Sequence, residues 1–523
     1  MTKTVKQKVG IASLIMMSSV FLSRVIGLLR EIVIAYLGGA SSEVDAYQIA
    51  FVIPEILNHI AASGFLSITF IPILSYYFQS DQESKGWEVC STILTTIGSI
   101  FLLLIMGCYF LIPVCVHWFA PGIQNSDVYI AAIRMTRIIL PAQFFFFVGG
   151  IFMAVQFAKE RFFMPALAPL IYNAGIIIGG ILLNPLIGME GFSWGVLWGA
   201  FLGNFVIQYF GARATGMKLS VNFQLNHPDL KKYIRLTLPL MLGLTMTFST
   251  EIFVKFFGSF LPDGSIASLN YGIRVMFILV GIFGQAVGMA SYPYLANLAT
   301  QNKIPALNHL LNDTLRQYIS LVIPFSILMV ILRHEIIMIL FQRGKFDCIA
   351  VHMTANVLQW LMVGAFAFAA QTIVVRSYYA TQDTLFPTLF STLTVILSIP
   401  IYWFGMQLMG ISGVALAISL STIIQVILLY TIWNKRSQNN GSRDVYICFL
   451  KVFIVSIILG FLMSWLKSYE IFHFNAQSFF GNLMTCVIYS IAYMFLLSVI
   501  AYIFKIDEIA LGLLQIKQKI LKK

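Results

Sequence analysis

Charge is what this sequence has least of. Only 10% of its 523 residues are Asp, Glu, Lys or Arg, against roughly 25% in a soluble globular chain. That scarcity excludes a soluble fold and leaves no stretch long and polar enough for a large soluble domain. No Walker A loop occurs, so a P-loop ATPase is excluded. The six cysteines (Cys90, Cys108, Cys115, Cys348, Cys448, Cys486) form no CxxC pair and mostly fall in apolar runs. They read as small core residues, with neither a disulfide framework nor a metal site. The seven histidines are scattered without ligand spacing, and nothing supports nucleophilic or metal catalysis, so no enzyme, no metal and no bound cofactor are expected. The formal charge of +12 could suggest nucleic acid. The cations sit in alternate loops, however, which is a topology signal, and no nucleic acid is expected.

What is abundant is apolar length. Hydrophobic residues make up 59% of the chain and mean hydropathy is +0.86. A spanning helix needs about 20 mostly apolar residues. About fourteen such segments are present, at roughly 11–37, 45–78, 88–113, 127–157, 162–183, 192–213, 230–258, 266–298, 308–333, 352–380, 384–405, 411–433, 445–467 and 478–503. The fold class is therefore an all-α polytopic membrane protein. Prolines interrupt several spans: Pro54 and Pro72 in the second, Pro141 in the fourth, Pro293 in the eighth. Lys3, Lys6 and Lys8 precede the first run as in a signal peptide. That run is too long and carries two arginines, so it reads as an uncleaved first helix.

With the N-terminus on the cytoplasmic side, Lys85, Lys159, Arg161, Arg213, Lys218, Lys231, Lys232, Lys303, Lys435, Arg436, Arg443 and the tail from Lys505 to Lys523 share that side. Arg333, Arg343, Lys345 and Lys467 are the outer exceptions. The bias places both termini in the cytoplasm. An internal repeat is also visible. Phe157 to Pro165 resembles Tyr379 to Pro387, Gly191 to Val196 resembles Gly410 to Val414 with one deletion, and Phe70 to Leu74 resembles Ser291 to Leu295. The common offset of roughly 220 residues points to two parallel six-helix lobes, a transporter signature with the site between the halves. The expected division is 1–225, 226–440 and 441–523, the last holding two extra helices and a basic tail.

Ionisable residues inside spans are costly and read first as functional. Arg24, Arg30 and Glu31 lie in the first span. Arg24 and Glu31, seven apart, share a helix face about two turns apart, and Arg30 is roughly 120° round from Arg24. A structural Arg–Glu pair is one reading; a cationic cavity contact is the other, because one glutamate cannot neutralise two arginines. Gly27 between them allows close approach. Asp45 opens the second span, either as a helix N-terminal residue or as a gating partner for an arginine. Glu55 follows Pro54 inside the same span. Arg274 has no acid within one turn and reads as a second-lobe cationic contact. Glu251 and Lys255 are i,i+4 and could simply pair, or Glu251 could bind a coupling cation. Arg134, Arg137 and Arg376 lie near span ends and are expected to snorkel.

At these residues the sequence resembles the MurJ (MviN) family, the lipid II flippases of the MOP exporter superfamily. The carrying motifs are Ser23 to Glu31, Asp45-Ala46-Tyr47 with Pro54, Arg161-Phe162 with Pro165 to Pro169 and Asn173, Tyr271 to Arg274, Gly344-Lys345-Phe346, and Tyr378 to Thr384 with Pro387. The resemblance covers nearly the whole chain and implies fourteen helices. It implies that Arg24, Arg30 and Arg274 line a central cavity that binds substrate and that Asp45 is functionally important; Asn58 and His59 are expected in the same cavity, and Glu31, Asp45 and Glu55 are expected as gating or charge partners. It further implies flipping of undecaprenyl-pyrophosphate-linked peptidoglycan precursor (lipid II) by alternating access in the bacterial inner membrane, for cell-wall biogenesis and cell shape. Drive by Na+, H+ or membrane potential goes with it, and the chain is expected to act as a monomer. The sequence departs from the family in the second span. Asn58 and His59 stand where a basic pair is usual, and Ser63 stands for a family glutamate. Two other functions fit the same frame: an exporter of another polyprenyl-pyrophosphate oligosaccharide of the O-antigen type, and a membrane enzyme acting on such a lipid. The enzyme would need an acid in the outer loop at about 334–351, where Glu335 and Asp347 lie.

Overall fold

The computed structural model describes residues 3–61, 69–244, 249–281, 286–383, 385–469, 474–475 and 478–503, with side chains from Gly10 onward except those of 60–61, 238–244 and 286–290. Among the described residues every regular element is a helix. In chain order they are α1 (Lys3–Gly38), α2 (Ser42–Ile49), α3 (Val52–Ala61), α4 (Ile71–Gln79), α5 (Glu83–Phe119), α6 (Ser126–Ile139), α7 (Ala142–Ala158), α8 (Phe163–Ile187), α9 (Glu190–Ala200), a π-helical segment (Phe201–Val206) and α10 (Ile207–Arg213). Then come α11 (Pro228–Leu244), α12 (Ser249–Gly258), α13 (Ser265–Val280), α14 (Ala286–Thr300), α15 (Ile304–Ile331), α16 (Arg333–Phe341), α17 (Cys348–Met362), α18 (Ala365–Ala380), α19 (Leu385–Ser437), α20 (Ser442–Ser468) and α21 (Phe479–Ile503). The all-α polytopic class is as the sequence predicts.

Among the described residues, nine helices are long and apolar enough to cross a membrane, or ten if the bent pair α17 and α18 is one span. The chain is a multi-pass membrane protein. The expected second, seventh and eighth spans contain residues 62–68, 245–248 and 282–285, which lie outside the described residues. One of the nine, α19, is 53 residues, about 80 Å of helix, far more than the ~30 Å hydrocarbon core needs. Gly410 explains it. Its φ of 57° and ψ of −130° break the helix, so α19 holds the two expected spans on either side.

Gly410 also corrects the register of the repeat. Gly188, between α8 and α9, has φ 62° and ψ −145°, nearly the conformation of Gly410. A left-handed φ of this kind is available to glycine at little cost. Gly191 packs on Leu183, and Gly413 packs on Gly405. Gly188-x-x-Gly191 therefore corresponds to Gly410-x-x-Gly413 without a gap, in place of the expected match of Gly191 to Gly410 with one deletion. Two further expectations change. Pro293 lies inside α14 rather than at a break, and the stretch expected as an outer loop at 334–351 contains α16. Pro141 does separate α6 from α7.

The chain gathers into two compact units: Met1–Ala267 with Arg343–Phe346, and Ser268–Gln342 with Asp347–Lys523. In the first, α8 packs along α9, α1 lies on α8, and α6 packs on α2 and α9. In the second, α15 packs on α20 and α18 on α19, while α16 bridges α17 and α21. The α8–α9 contact is made by small residues. A Cβ at Gly175 would lie 2.5 Å from the Gly199 Cα, and one at Gly179 2.5 Å from the Gly195 Cα. Close backbone approach of this kind is how helices associate in lipid, where apolar burial gives no net drive. Gly179→Val should force the pair apart and cost about 1–3 kcal/mol, read as loss of monodisperse protein by size-exclusion chromatography of detergent extracts.

Candidate functional site

The charges of α1 take different environments. Arg24 has an exposed side chain. Arg30 is half-buried, and its guanidinium donates to the Glu31 carboxylate at 2.6 Å and to Oδ1 of Asn173 at 3.1 Å. Glu31 is only 4% exposed. The expected shared face would give Glu31 to Arg24; in the structure its carboxylate pairs with Arg30, the adjacent residue, whose long side chain curls round the helix to reach it. Asn173 comes from α8, where its amide donates to the Pro169 carbonyl at 2.8 Å. That bond orients Oδ1 toward the arginine, since an amide has one acceptor end and one donor end. Nothing lies within 4 Å of a Cβ placed on Gly27, so the helix surface between the arginines is open.

The second and seventh expected spans meet in the same unit. Tyr77 donates to Asp229 at 2.8 Å, Phe70 stands edge-on to Tyr233 at 6.2 Å, and the Thr69 and Thr237 hydroxyls are 3.3 Å apart. Further along, Lys255 Nζ lies 3.8 Å from Glu55 and 3.6 Å from Glu251. Numbers rise on α3–α4 as they fall on α11–α12, so the two run antiparallel. The i,i+4 pair of Glu251 and Lys255 is as expected; the participation of Glu55 is not predictable from local spacing. Asn58 and His59, one turn beyond Glu55, are half-buried. Ser63 lies outside the described residues.

Asp45 is buried, and its partners are backbone amides rather than an arginine. Its carboxylate accepts from Gly264 N–H and from Ala267 N–H, each at 2.7 Å. These amides open α13, and a carboxylate there satisfies orphan donors and complements the helix dipole. The approach depends on Gly264, which has φ 83° and whose Cβ would collide with the Ala40 carbonyl. Beside it, Lys345 N–H donates to the Tyr36 carbonyl at 2.9 Å, closing the end of α1. Sequence reasoning carries Lys345 only as part of a motif. Arg274, two turns beyond Ala267 on α13, is half-buried in the second unit. Among the arginines expected to snorkel, Arg134 pairs with Glu190 at 2.8 Å and Arg137 lies over the Tyr109 ring. No group of three or more metal-ligating side chains occurs among the described residues.

The family model described as lipid II flippase MurJ matches residues 34–485. This chain belongs to the MurJ family. MurJ relatives include a probable lipid II flippase of Buchnera aphidicola subsp. Baizongia pistaciae, 28% identical over 90% of this chain and 92% of its own length. Another is that of Thermotoga maritima, 27% identical over 94% and 95%. A solved MurJ in an inward closed conformation has the same fold, with a TM-score of 0.77, 24% identity, and coverage of 94% of this chain and 99% of that one. An inward-facing multidrug resistance MATE transporter of the MOP superfamily shares the fold more distantly, at TM-score 0.66 and 13% identity over 80% of this chain and 94% of its own.

Proposed function

We propose that this chain is a lipid II flippase of the bacterial inner membrane, moving an undecaprenyl-pyrophosphate glycolipid from inner to outer leaflet by alternating access. It is a transporter rather than an enzyme, acting in peptidoglycan synthesis. The observation that carries this reading is the α1 cation pair in a MurJ-family chain: an exposed Arg24 beside an Arg30 held by Glu31 and Asn173. Arginine forks bind pyrophosphate bidentately, which a single ammonium cannot do. Arg274 is assigned as the corresponding contact of the second unit. Both termini face the cytoplasm on the strength of the loop charges, and the working unit is a monomer.

Complementation tests the reading. The chain should restore growth to a wall-bearing host depleted of its own lipid II flippase, and depletion without it should accumulate lipid II on the inner leaflet. Failure to complement despite normal membrane levels would favour an exporter of another polyprenyl-pyrophosphate glycan. Asn58→Arg places a guanidinium where the family has a base, on the same face as Glu55. It should complement as well as the parent and tighten headgroup binding up to about tenfold, roughly 1.4 kcal/mol, measured by titration of the purified protein with lipid II.

A further inference from the structure

The two sequence repeats are joined by residues 214–227, between α10 and α11, and residues 217–224 of this linker carry no regular secondary structure. The linker is nonetheless held on α5. Ser220 N–H donates to the Ser91 hydroxyl at 3.0 Å, the Asn222 amide donates to the Thr92 hydroxyl at 3.1 Å, and the Thr95 hydroxyl donates to the Asn222 carbonyl. With Asn222 turned to α5, its neighbours Val221 and Phe223 are 93% and 59% exposed. Leu219 and Leu225 continue the alternation and are exposed too. A contiguous apolar stripe left open on a protein surface marks a contact with something apolar.

The helix beneath identifies that contact. The 37 residues of α5 make about 55 Å of helix, against ~30 Å of hydrocarbon. Its charged residues, Glu83, Lys85 and Glu88, all lie in the first two turns. Thr95 shares a helix face with Leu102, Leu103, Met106 and Phe110, at spacings of 7, 8, 11 and 15, and those four apolar side chains are exposed. On a membrane-crossing helix such a face meets acyl chains, and the linker lies across its foot. Polar groups at that level need protein partners, and the linker supplies them to Ser91, Thr92 and Thr95. Its flanks are basic. Arg213, Lys218, Lys231, Lys232 and Arg235 are exposed, and the one acid between them, Asp229, accepts from the Tyr77 hydroxyl at 2.8 Å. An apolar stripe flanked by cations matches an anionic leaflet, with phosphates above acyl chains. We propose that residues 218–225 form an interfacial strap: Val221 and Phe223 insert into the cytoplasmic leaflet, and the flanking lysines hold anionic phospholipid headgroups. The leaflet follows from the loop charges. A docked protein fits less well, because the stripe continues a lipid-facing helix surface.

Photocrosslinking of the full-length protein tests this. Benzoylphenylalanine is placed at Val221, at Phe223, or at Gln301, an exposed residue in the turn between α14 and α15. The protein is reconstituted in liposomes of phosphatidylethanolamine and phosphatidylglycerol. Illumination should give phospholipid adducts at 221 and at 223 and none above background at 301. The adducts should hold phosphatidylglycerol in about fivefold excess over its share of the bilayer, the effect of one cation near the surface. The triple variant Lys218→Gln, Lys231→Gln, Lys232→Gln should keep the adducts and lose that excess. All three lysines are exposed, so its yield should match the parent. No phospholipid adduct at either position overturns the proposal, as does crosslinking to protein alone. Adducts in the bilayer's own ratio overturn it too, since the lysines would then select no headgroup. The readout needs no lipid II, so it stands or falls apart from the flippase reading.

Discussion

Arg30→Ala is expected to abolish flipping and also to lower the amount of folded protein. The guanidinium pairs with a carboxylate only 4% exposed, and it donates to Asn173 as well. Removing one member of a buried pair leaves an uncompensated charge at about 3–5 kcal/mol. Arg30 is itself 19% exposed, so the lower end, about 3 kcal/mol, applies here after allowance for screening. The two effects separate in the double variant. Arg30→Ala with Glu31→Gln removes the carboxylate charge as well and should restore protein levels while flipping stays more than about a hundredfold down, roughly 2.7 kcal/mol of lost transition-state or headgroup stabilisation. Arg24→Ala supplies the contrast. Its side chain is exposed, so folding should be unaffected and flipping alone should fall. Rates are read in liposomes at matched protein content. Parental flipping by the double variant would reduce Arg30 to a structural residue.

The parts of this picture that sequence reading reaches are those where lipid makes a residue costly. Apolar length identifies the nine or ten helices long enough to cross a membrane among the described residues, and Arg24, Arg30, Glu31 and Arg274 stand out because a charge within an apolar span demands a reason. Partners are less legible. Glu55 and Lys255 are 200 positions apart, and neither spacing nor periodicity links them; only the antiparallel packing of α3–α4 on α11–α12 does. Arg30 takes Glu31 from Arg24 because a flexible side chain overrides helix-face geometry. Asp45 binds backbone amides, which leave no residue signature, and the one trace in the sequence is Gly264, whose φ and proximity to Ala40 exclude a side chain. The repeat was visible by motif, but its register required the shared backbone conformation of Gly188 and Gly410. Pro293 shows the reverse limit: a proline in a helix can be accommodated, so its presence marks a break only sometimes.

Asp45→Ala should produce the second large effect, through α13. The carboxylate accepts two amide hydrogen bonds of 2.7 Å in a buried setting. Charge-assisted bonds contribute about 1.5–3 kcal/mol each, and donors left unsatisfied add their own desolvation cost. A loss of about 3 kcal/mol or more is expected, seen as a lower thermal midpoint of the purified protein. Asp45→Asn should do no better than alanine at one of the two positions, because its amide NH2 would face a second donor. The functional cost follows from continuity of the helix: α13 carries Arg274 two turns on, so fraying its first turn loosens the base from which that arginine is presented. Amide hydrogen exchange at Gly264 and Ala267 is the direct readout. Both should exchange at least tenfold faster in Asp45→Ala, in step with the free energy lost, while amides in the middle of α8 keep parental rates. Unchanged exchange at those two amides would sink the assignment of Asp45 as the cap of α13 and return it to a role confined to its own helix.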